Sequence, residues 1–401
     1  METVYEAVKI NDYIYWVGAI DWNTRDFHGY STNRGTTYNA FLVLADKITL
    51  IDTVKEQFRN EMFSRISSII DPGEISYIIS NHSEKDHSGC LPEIIDIVKP
   101  EKVFASVMGE KTLSAHFHNL KDIIPVKDGD SISLGNMDVN FYETRMLHWP
   151  DSMFSYLPAD KILFSNDVFG MHLASNERYA DEIDDYILKY EGEKYFSNIV
   201  LPYSSLVLKL LEKVKSIGLE PDMIMPDHGP IWRKKEDIAK IINYYALWAE
   251  QKPNKKAVIL YDTMWESTEK MAHVMSEGLI NNGIEVHLMP MHTTHRSDVV
   301  KELLECGALI VGSSTLNNNM LPSVADVMTY IKGLRPQNLI GASFGSYGWS
   351  GEAVGQLENM LKEMGVEIID ESIKAKYVPN DDDLARCFNL GKTIAEKLNS
   401  V

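Results

Sequence analysis

His82-Ser83-Glu84-Lys85-Asp86-His87 places four metal-ligating side chains within six positions, two residues after the largely apolar stretch 75–79. The apolar run predicts a β-strand, and α/β proteins place their chemistry just beyond the carboxyl ends of strands. Because an extended chain alternates its side chains, we expect His82, Glu84 and Asp86 to point to one side. His87 would reach a second ion from the turn that follows. The segment therefore predicts two metal ions that share one loop.

Three further candidate ligands each stand at the end of an apolar run: His148, Asp167 and His228. A lone histidine is more often a core or surface residue bonded to a backbone carbonyl, and we leave most of the other histidines to that interpretation. The clustering of the first four candidates within six positions distinguishes them from such lone histidines and favours metal binding. The seven predicted ligands are His82, Glu84, Asp86, His87, His148, Asp167 and His228.

Composition and charge exclude several other classes of protein. The 401 residues include three scattered cysteines, which form no Cys-x-x-Cys pair of a zinc or iron–sulfur module. The net charge of −19 repels nucleic acid and anionic lipid, and no apolar run approaches the roughly 18 residues of a membrane span. Residues 1–5 lack the features of a secretory signal. We expect a cytoplasmic protein with neither nucleic acid nor membrane as a partner.

A polar stretch around Pro253 divides the chain into two predicted domains. Before it, β-branched runs alternate with helical stretches, and hairpins are expected around Gly135-Asn136 and around residues 158–160. After it, strands and amphipathic helices alternate regularly, which is typical of a doubly wound parallel sheet. We predict one domain at 1–250, a linker at 251–255 and a second domain at 256–401.

Three loops of the second domain follow predicted strands and are rich in hydroxyls, amides, glycines and aromatics. Hydroxyls and free backbone N–H groups at a helix N-terminus can hold a phosphate, although Ser267 or Thr268 could simply cap the helix. Trp265 and Trp349 could likewise be core aromatics. Together the loops suit a flat isoalloxazine ring. The candidate flavin-binding residues are Thr263, Met264, Trp265, Glu266, Ser267, Thr268, Ser314, Thr315, Leu316, Asn317, Asn318, Phe344, Gly345, Ser346, Tyr347, Gly348, Trp349, Ser350 and Gly351.

The order of the predicted metal ligands resembles the metallo-β-lactamase fold and, more narrowly, the flavodiiron proteins. Hydrolases of that fold carry His-x-His-x-Asp-His and zinc, whereas Glu84 replaces the second histidine here and supplies an oxygen ligand that suits iron. Residues 149–152 and 227–232 also resemble family segments. The first flavin loop departs from the usual flavodoxin pattern at Trp265 and Glu266, but it resembles the flavodiiron version.

The resemblance implies an α/β architecture: an N-terminal metallo-β-lactamase-like αββα sandwich followed by a flavodoxin-like doubly wound parallel sheet. It implies FMN in the second domain and two iron ions per chain in the first. The implied ligands are His82, Glu84 and His148 for the first iron, and Asp86, His87 and His228 for the second. Asp167 would bridge the two ions. Three further residues, His28, His172 and Tyr195, resemble family positions that could hydrogen-bond a bound gas.

The implied activity is reduction of dioxygen to water, of nitric oxide to nitrous oxide, or of both. Electrons must reach FMN from outside, because the sequence has no rubredoxin-type cysteine pairs and no nicotinamide-binding Gly-x-Gly-x-x-Gly motif. The family's donors are rubredoxin and the reduced deazaflavin coenzyme. The family pairs two chains head to tail, so a homodimer is expected, with a dimer of dimers as the larger alternative.

Two other classes of protein remain open at this point. One is a zinc hydrolase with an appended flavodoxin domain, which Glu84 disfavours. The other is a flavodoxin-like electron carrier with a vestigial metal domain, which the complete ligand set disfavours. Iron and flavin analysis of the purified protein distinguishes all three.

Overall fold

The computed structural model describes residues 4–400, which divide into two compact units. The first unit comprises the chain up to Phe27 together with Thr32–Tyr195 and Ser205–Ala246. The second comprises His28–Ser31, Phe196–Ser204 and the chain from Leu247 onward. The predicted ranges 1–250, 251–255 and 256–401 remain a prediction. Their outer ends, residues 1 and 401, lie outside the described residues. The prediction about a secretory signal was drawn from residues 1–5, of which residues 1–3 lie outside the described part of the chain.

Short strands and helices alternate along the whole described chain. The strands are β1 (Val8–Lys9), β2 (Ile14–Trp16), β3 (Ala19–Asp21), β4 (Asp26–Phe27), β5 (Tyr30–Ser31), β6 (Thr36–Tyr38), β7 (Phe41–Val43), β8 (Thr49–Ile51), β9 (Tyr77–Ser80), β10 (Lys102–Ser106), β11 (Ile123–Val126), β12 (Ser131–Ser133), β13 (Asp138–Glu143), β14 (Met153–Leu157), β15 (Ile162–Phe164), β16 (Met223–Met225), β17 (Lys256–Asp262), β18 (Glu285–Pro290), β19 (Ala308–Ser313), β20 (Ile340–Tyr347), β21 (Glu367–Ile368) and β22 (Ile373–Lys376).

The helices are α1 (Arg59–Ser67), α2 (Lys85–Ser88), α3 (Leu91–Val98), α4 (Val107–His116), α5 (Asp185–Tyr195), α6 (Ser204–Ser216), α7 (Lys235–Glu250), α8 (Ser267–Ile280), α9 (Arg296–Leu303), α10 (Pro322–Leu334), α11 (Glu352–Glu363) and α12 (Asp381–Asn399). Among residues 4–400, no helix combines the length and the apolar character needed to cross a membrane.

The first unit is built on two β-sheets that pack face to face. One sheet has the order β1-β2-β7-β8-β9-β10-β11, and the other runs from β12 to β16 in chain order. Large apolar side chains from both sheets meet in the core between them; the rings of Phe41 and Phe164, for example, are 5.4 Å apart. The outer face of the first sheet buries Leu50 and Ile78 against helices α1, α3 and α4. This arrangement agrees with the implied sandwich.

The hairpins predicted in this unit are both present. Strands β12 and β13 pair antiparallel on either side of Gly135-Asn136, with Ser133 opposite Asp138. Strands β14 and β15 pair across residues 158–160, with Leu157 opposite Ile162. Gly135 has a φ of +96°, a conformation that glycine adopts without the steric cost other residues meet. Turn chemistry thus specified these pairings locally.

The second unit contains one parallel sheet in the order β18-β17-β19-β20-β21, with β22 also paired to β20. Its central strands are largely apolar in their interiors, and successive residues such as Val258 and Ile259 are both fully buried. One face packs on α8 and α12, while α9, α10 and α11 contact the sheet as well. The strand order is that of flavodoxin, with its ligand crevice where the order reverses. The predicted doubly wound sheet is confirmed.

Two segments predicted as loops are regular structure instead. Strand β20 continues through Tyr347, so the first four residues of the predicted third flavin loop are strand. Its register with β22 extends to Tyr347 opposite Lys376, and this added strand, absent from the prediction, supplies the hydrogen bonds that prolong β20. The other segment is 85–88, which forms the short helix α2.

Candidate metal centre and flavin cavity

The predicted metal loop connects strand β9 to helix α2. Glu84 precedes the helix, and its carbonyl oxygen accepts hydrogen bonds from the backbone N–H groups of His87 at 3.0 Å and Ser88 at 2.9 Å. The expected extended geometry is therefore wrong for Asp86, which lies in a helical turn. The turn still delivers Asp86 and His87 to the same buried region as His82, and all of these side chains are almost inaccessible to water.

The remaining predicted ligands come from the second sheet of the same unit. His148 lies between β13 and β14, Asp167 follows β15, and His228 follows β16. Because polar residues beyond neighbouring strands gather at one sheet edge, these positions converge. The structure forms three groups whose donor atoms lie within 4.8 Å of one another: His82, Glu84, His148 and Asp167; Asp86, His87 and His228; and His87, Asp167 and Asp227. The first two groups contain all seven predicted ligands, whereas Asp227, next to the predicted ligand His228, was not among the candidates.

Asp167 presents one carboxylate oxygen to each set. Its Oδ2 lies 3.0 Å from Nε2 of His148 and 3.3 Å from Nε2 of His82. Its Oδ1 lies 3.3 Å from Nε2 of His87 and 3.6 Å from Nε2 of His228. A carboxylate placed between two donor sets in this way can hold two metal ions together.

The chemistry of the donors fits metal ions. Nε2 of His87 and Nε2 of His228 approach to 3.2 Å, a convergence of imidazole nitrogens that a bound cation would stabilise. Oδ1 of Asp86 is buried and has no hydrogen-bond partner among residues 4–400. Such an orphaned carboxylate oxygen is costly unless a cation or a donor satisfies it. The mixture of imidazole and carboxylate ligands suits iron.

Hydrogen bonds to the opposite ring nitrogens orient two of the histidines. Oδ2 of Asp151 lies 3.3 Å from Nδ1 of His82 and accepts the backbone N–H of Ser83 at 2.6 Å. Nδ1 of His228 donates to the carbonyl oxygen of Thr37 at 2.6 Å. Both contacts leave Nε2 free to face the cluster, as outer partners of metal-bound histidines do. Sequence reasoning missed these partners, although Asp151 lies three positions after the predicted ligand His148, within a family-like segment. Thr37 contributes only a backbone carbonyl group, which leaves no sequence signal.

Pairing between histidines and carboxylates shifts the pKa values of groups in this buried cluster. Burial opposes the charged form of His87, but Asp86 and the neighbouring carboxylates raise its pKa to about 10. Burial likewise opposes ionisation of Asp167, yet the histidines hold its pKa well below the ordinary value. Burial raises the pKa of Asp52, which supports the loop through Asn81, to about 6. Ligand protons must leave when metal binds, so metal affinity rises with pH.

The structure places two of the three predicted gas-contacting residues beside the metal cluster. The ring of His172 lies 4.6 Å from that of His228 and 5.1 Å from that of Tyr195, and both residues are buried. Nδ1 of His172 contacts the Thr36 hydroxyl at 2.9 Å. His28 is exposed and groups with the second unit. Its neighbour Phe27 packs on the His172 ring instead, 4.8 Å between centroids.

The second unit has a cavity of about 390 Å³ at the carboxyl ends of its strands. Twelve of the predicted flavin-binding residues line it: Met264, Trp265, Ser267, Ser314, Thr315, Asn317, Asn318, Ser346, Tyr347, Gly348, Trp349 and Ser350. The alternative of core aromatics is wrong for Trp265 and Trp349, since each is 87% exposed. The volume falls in the usual range for a small-molecule site.

Seven predicted flavin residues do not line this cavity: Thr263, Glu266, Thr268, Leu316, Phe344, Gly345 and Gly351. Phe344 is fully buried in the strand core, because β20 continues through it. Gly345 packs against a neighbouring strand, and a Cβ there would lie 2.0 Å from the carbonyl oxygen of Ser313. Tyr377, which follows β22, does line the cavity. Sequence analysis missed it because it missed that strand.

Hydroxyl groups from all three loops meet at the start of helix α8. The Thr268 hydroxyl lies 3.0 Å from that of Ser314 and 3.0 Å from that of Ser346. Glu266 occupies the cap position and makes no side-chain cap hydrogen bond, so the simple capping alternative is wrong. The hydroxyl of Thr263 is buried without a partner among residues 4–400. This group of hydroxyls at a helix N-terminus fits a phosphate.

A binuclear-type metal cluster on a β-sandwich and a flavin cavity on a doubly wound sheet define a metal- and flavin-dependent oxidoreductase. Family models agree with this class: an ODP family beta-lactamase model matches residues 36–229, and a flavodoxin model matches residues 259–391.

Curated relatives resemble nearly the whole chain. The rubredoxin-oxygen oxidoreductase of Megalodesulfovibrio gigas is 46% identical, covering 98% of this chain and 99% of that protein. The nitric oxide reductase of Moorella thermoacetica is 45% identical, with coverage of 98% and 99%. A coenzyme F420H2 oxidase of Methanothermobacter marburgensis is 39% identical, with coverage of 98% of both chains.

Solved structures agree with the same grouping. The rubredoxin oxygen:oxidoreductase from Desulfovibrio gigas superposes with a TM-score of 0.97 at 46% identity, over 98% of this chain and 99% of the other. The flavodiiron protein from Giardia intestinalis superposes with a TM-score of 0.94 at 31% identity, over 98% and 97%. The chain belongs to the flavodiiron protein family, and its cofactors are FMN and a diiron centre.

Proposed function

We propose that this flavodiiron protein reduces dioxygen to water, nitric oxide to nitrous oxide, or both, with electrons that pass from FMN to the diiron centre. The proposal depends most on Asp167, whose two carboxylate oxygens face different sets of histidine and carboxylate donors. The relatives named for oxygen reduction and for nitric oxide reduction are 46% and 45% identical to this chain. Because the two identities are nearly equal, the proposal includes both gases as substrates.

The proposed ligands follow the two donor sets of the structure. His82, Glu84 and His148 would hold one iron, and Asp86, His87 and His228 the other. Asp167 would bridge them through its two oxygens. The separations between donor atoms support this division, and the carboxylate of Glu84, 3.2 Å from Nε2 of His148, supports iron over the zinc of a hydrolase.

When bound, FMN supplies electrons and the iron pair holds the gas. Reduction of one dioxygen to two waters takes up four electrons and four protons, whereas coupling two nitric oxides takes up two of each. Burial holds the pKa of His172 well below its ordinary value, so His172 stands beside His228 as a neutral ring. A neutral imidazole can hydrogen-bond an uncharged gas without adding charge to a buried site.

The proposed electron donor is rubredoxin or reduced coenzyme F420, the partners that appear in the names of relatives. The proposed assembly is a head-to-tail homodimer, and the proposed location is the cytoplasm. All three cysteines, Cys90, Cys306 and Cys387, are buried free thiols, which suits a reducing compartment.

The test is anaerobic purification followed by iron and FMN analysis and by steady-state gas consumption with each donor. We expect two irons and one FMN per chain, and turnover of at least one gas. Zinc in place of iron, with FMN present and no gas consumption, would contradict the proposal and favour a hydrolase. FMN without stoichiometric metal would favour the electron carrier.

A further inference from the structure

The flavin cavity has a wall that belongs to none of the three predicted loops. Tyr377 directly follows β22, which pairs in parallel with β20 and aligns Lys376 with Tyr347. Its position at the carboxyl end of a strand brings Tyr377 to the same sheet edge as Trp265 and Trp349. All three aromatic residues line the cavity.

The backbone fixes Tyr377 in this position. Its N–H donates a hydrogen bond of 2.7 Å to the carbonyl oxygen of Tyr347, and its φ is +61°. A non-glycine residue seldom adopts this left-handed conformation, and such residues concentrate at functional sites. The hydrogen bond holds the backbone of Tyr377 beside Tyr347, which also lines the cavity.

The ring of Tyr377 lies directly against Gly348. A Cβ added to Gly348 would lie 3.2 Å from Cε1 of Tyr377 and 3.8 Å from Cζ, so any larger residue there would push the ring. Tyr377 as a whole is nevertheless 61% exposed. Exposed large aromatics gathered around one cavity mark a surface that a ligand covers.

We infer that Tyr377 is a flavin-positioning residue: its ring, held on Gly348, forms an aromatic wall of the FMN cavity that strengthens FMN binding and excludes water from the flavin. The inference rests on the assignment of FMN to this cavity. An aromatic wall in place of water also disfavours the negative charge of the fully reduced flavin, so Tyr377 lowers the potential of the second electron.

The test titrates FMN into apoprotein and follows quenching of flavin fluorescence. Tyr377→Ser is expected to weaken FMN binding by about tenfold, and Tyr377→Phe to leave it within about threefold, since the ring supplies the contact. Val378→Ser is the matched control, because Val378 is the next residue, is 70% exposed and does not line this cavity. Gly348→Ala should weaken binding in the same direction as Tyr377→Ser.

A redox titration of bound FMN separates positioning from a merely structural role. The potential of the second electron should rise in Tyr377→Ser and stay unchanged in Val378→Ser. Binding within threefold of the parent, together with an unchanged potential in Tyr377→Ser, would overturn the inference. Failure of the parent apoprotein itself to bind FMN would instead overturn the cofactor assignment.

Discussion

Asp167 contacts more of the metal cluster than any single-set ligand does, because its two oxygens face different donor sets. Asp167→Ala should therefore lower the iron content of the purified chain more than Glu84→Ala, which removes a ligand from one set. Metal analysis of the two variants, with Asp96→Ala as an exposed-carboxylate control, checks this. Equal losses in the two site variants would count against a bridge.

Glu302 makes the second unit sensitive to acid. Burial opposes its ionisation, but hydrogen bonds from Lys256 at 2.6 Å and Lys301 at 2.7 Å, together with their charges, lower its pKa to about 2 from an ordinary 4.5. A lowered carboxylate pKa stabilises the folded state above pH 4.5, and that stability disappears as the pH falls towards 2.

Glu302→Gln should accordingly cost about 1–2 kcal/mol of unfolding free energy at pH 7, after allowance for solvent screening. The difference from the parent should shrink as the pH is lowered from 5 to about 2. Denaturant unfolding across this pH range measures it. Glu363→Gln, which removes an exposed partner of Lys332, serves as the control and should cost under about 1 kcal/mol. A pH-independent difference for Glu302→Gln would contradict the assignment.

At the scale of elements, helices α8 and α12 cross with their backbones in close contact. A Cβ on Gly278 would lie 2.2 Å from the carbonyl oxygen of Phe388, and a Cβ on Gly391 would lie 2.2 Å from that of Met275. Glycine therefore sets the separation of the two helices that cover one face of the parallel sheet. Hydroxyl groups that fit a phosphate gather at the N-terminus of α8, so this packing also positions that part of the flavin cavity.

Gly278→Ala should destabilise the protein by about 1–3 kcal/mol, because the added methyl group has no space. Gly355→Ala in α11 is the matched control: nothing lies within 4 Å of a Cβ at that position, so the helix should gain about 0.5–1 kcal/mol. Thermal unfolding midpoints of the two variants should move in opposite directions. A shift of the same sign in both would mean that helix propensity, not packing, governs Gly278.

At the scale of the whole molecule, the two cofactor sites belong to separate units, and the proposed head-to-tail homodimer would join the flavin of one chain to the metal centre of its partner. A chain with His148→Ala mixed with a chain unable to bind FMN should recover gas-reductase activity, since a heterodimer would contain one intact composite site. Each variant alone should be inactive. No recovered activity despite demonstrated subunit exchange would refute transfer between chains.

The amino-acid sequence by itself determined the seven metal-ligand candidates, both hairpins and the doubly wound sheet. These features depend on local information: ligand spacing after a strand, turn residues between apolar runs, and the period of apolar residues. Residues beyond the ends of neighbouring strands gather at one sheet edge. The cluster around Asp167 and twelve of the flavin-cavity residues could therefore be predicted from the sequence.

Only the tertiary structure decided which residues distant in the sequence contact one another. The pairing of β20 with β22 turned Phe344 from an expected loop residue into core and brought Tyr377 to the flavin cavity. The support of His228 by the carbonyl oxygen of Thr37 is a backbone contact across 191 positions, which no side-chain pattern encodes. Long-range strand pairing and backbone hydrogen bonds depend on the folded chain as a whole, and therefore only the three-dimensional structure reveals them.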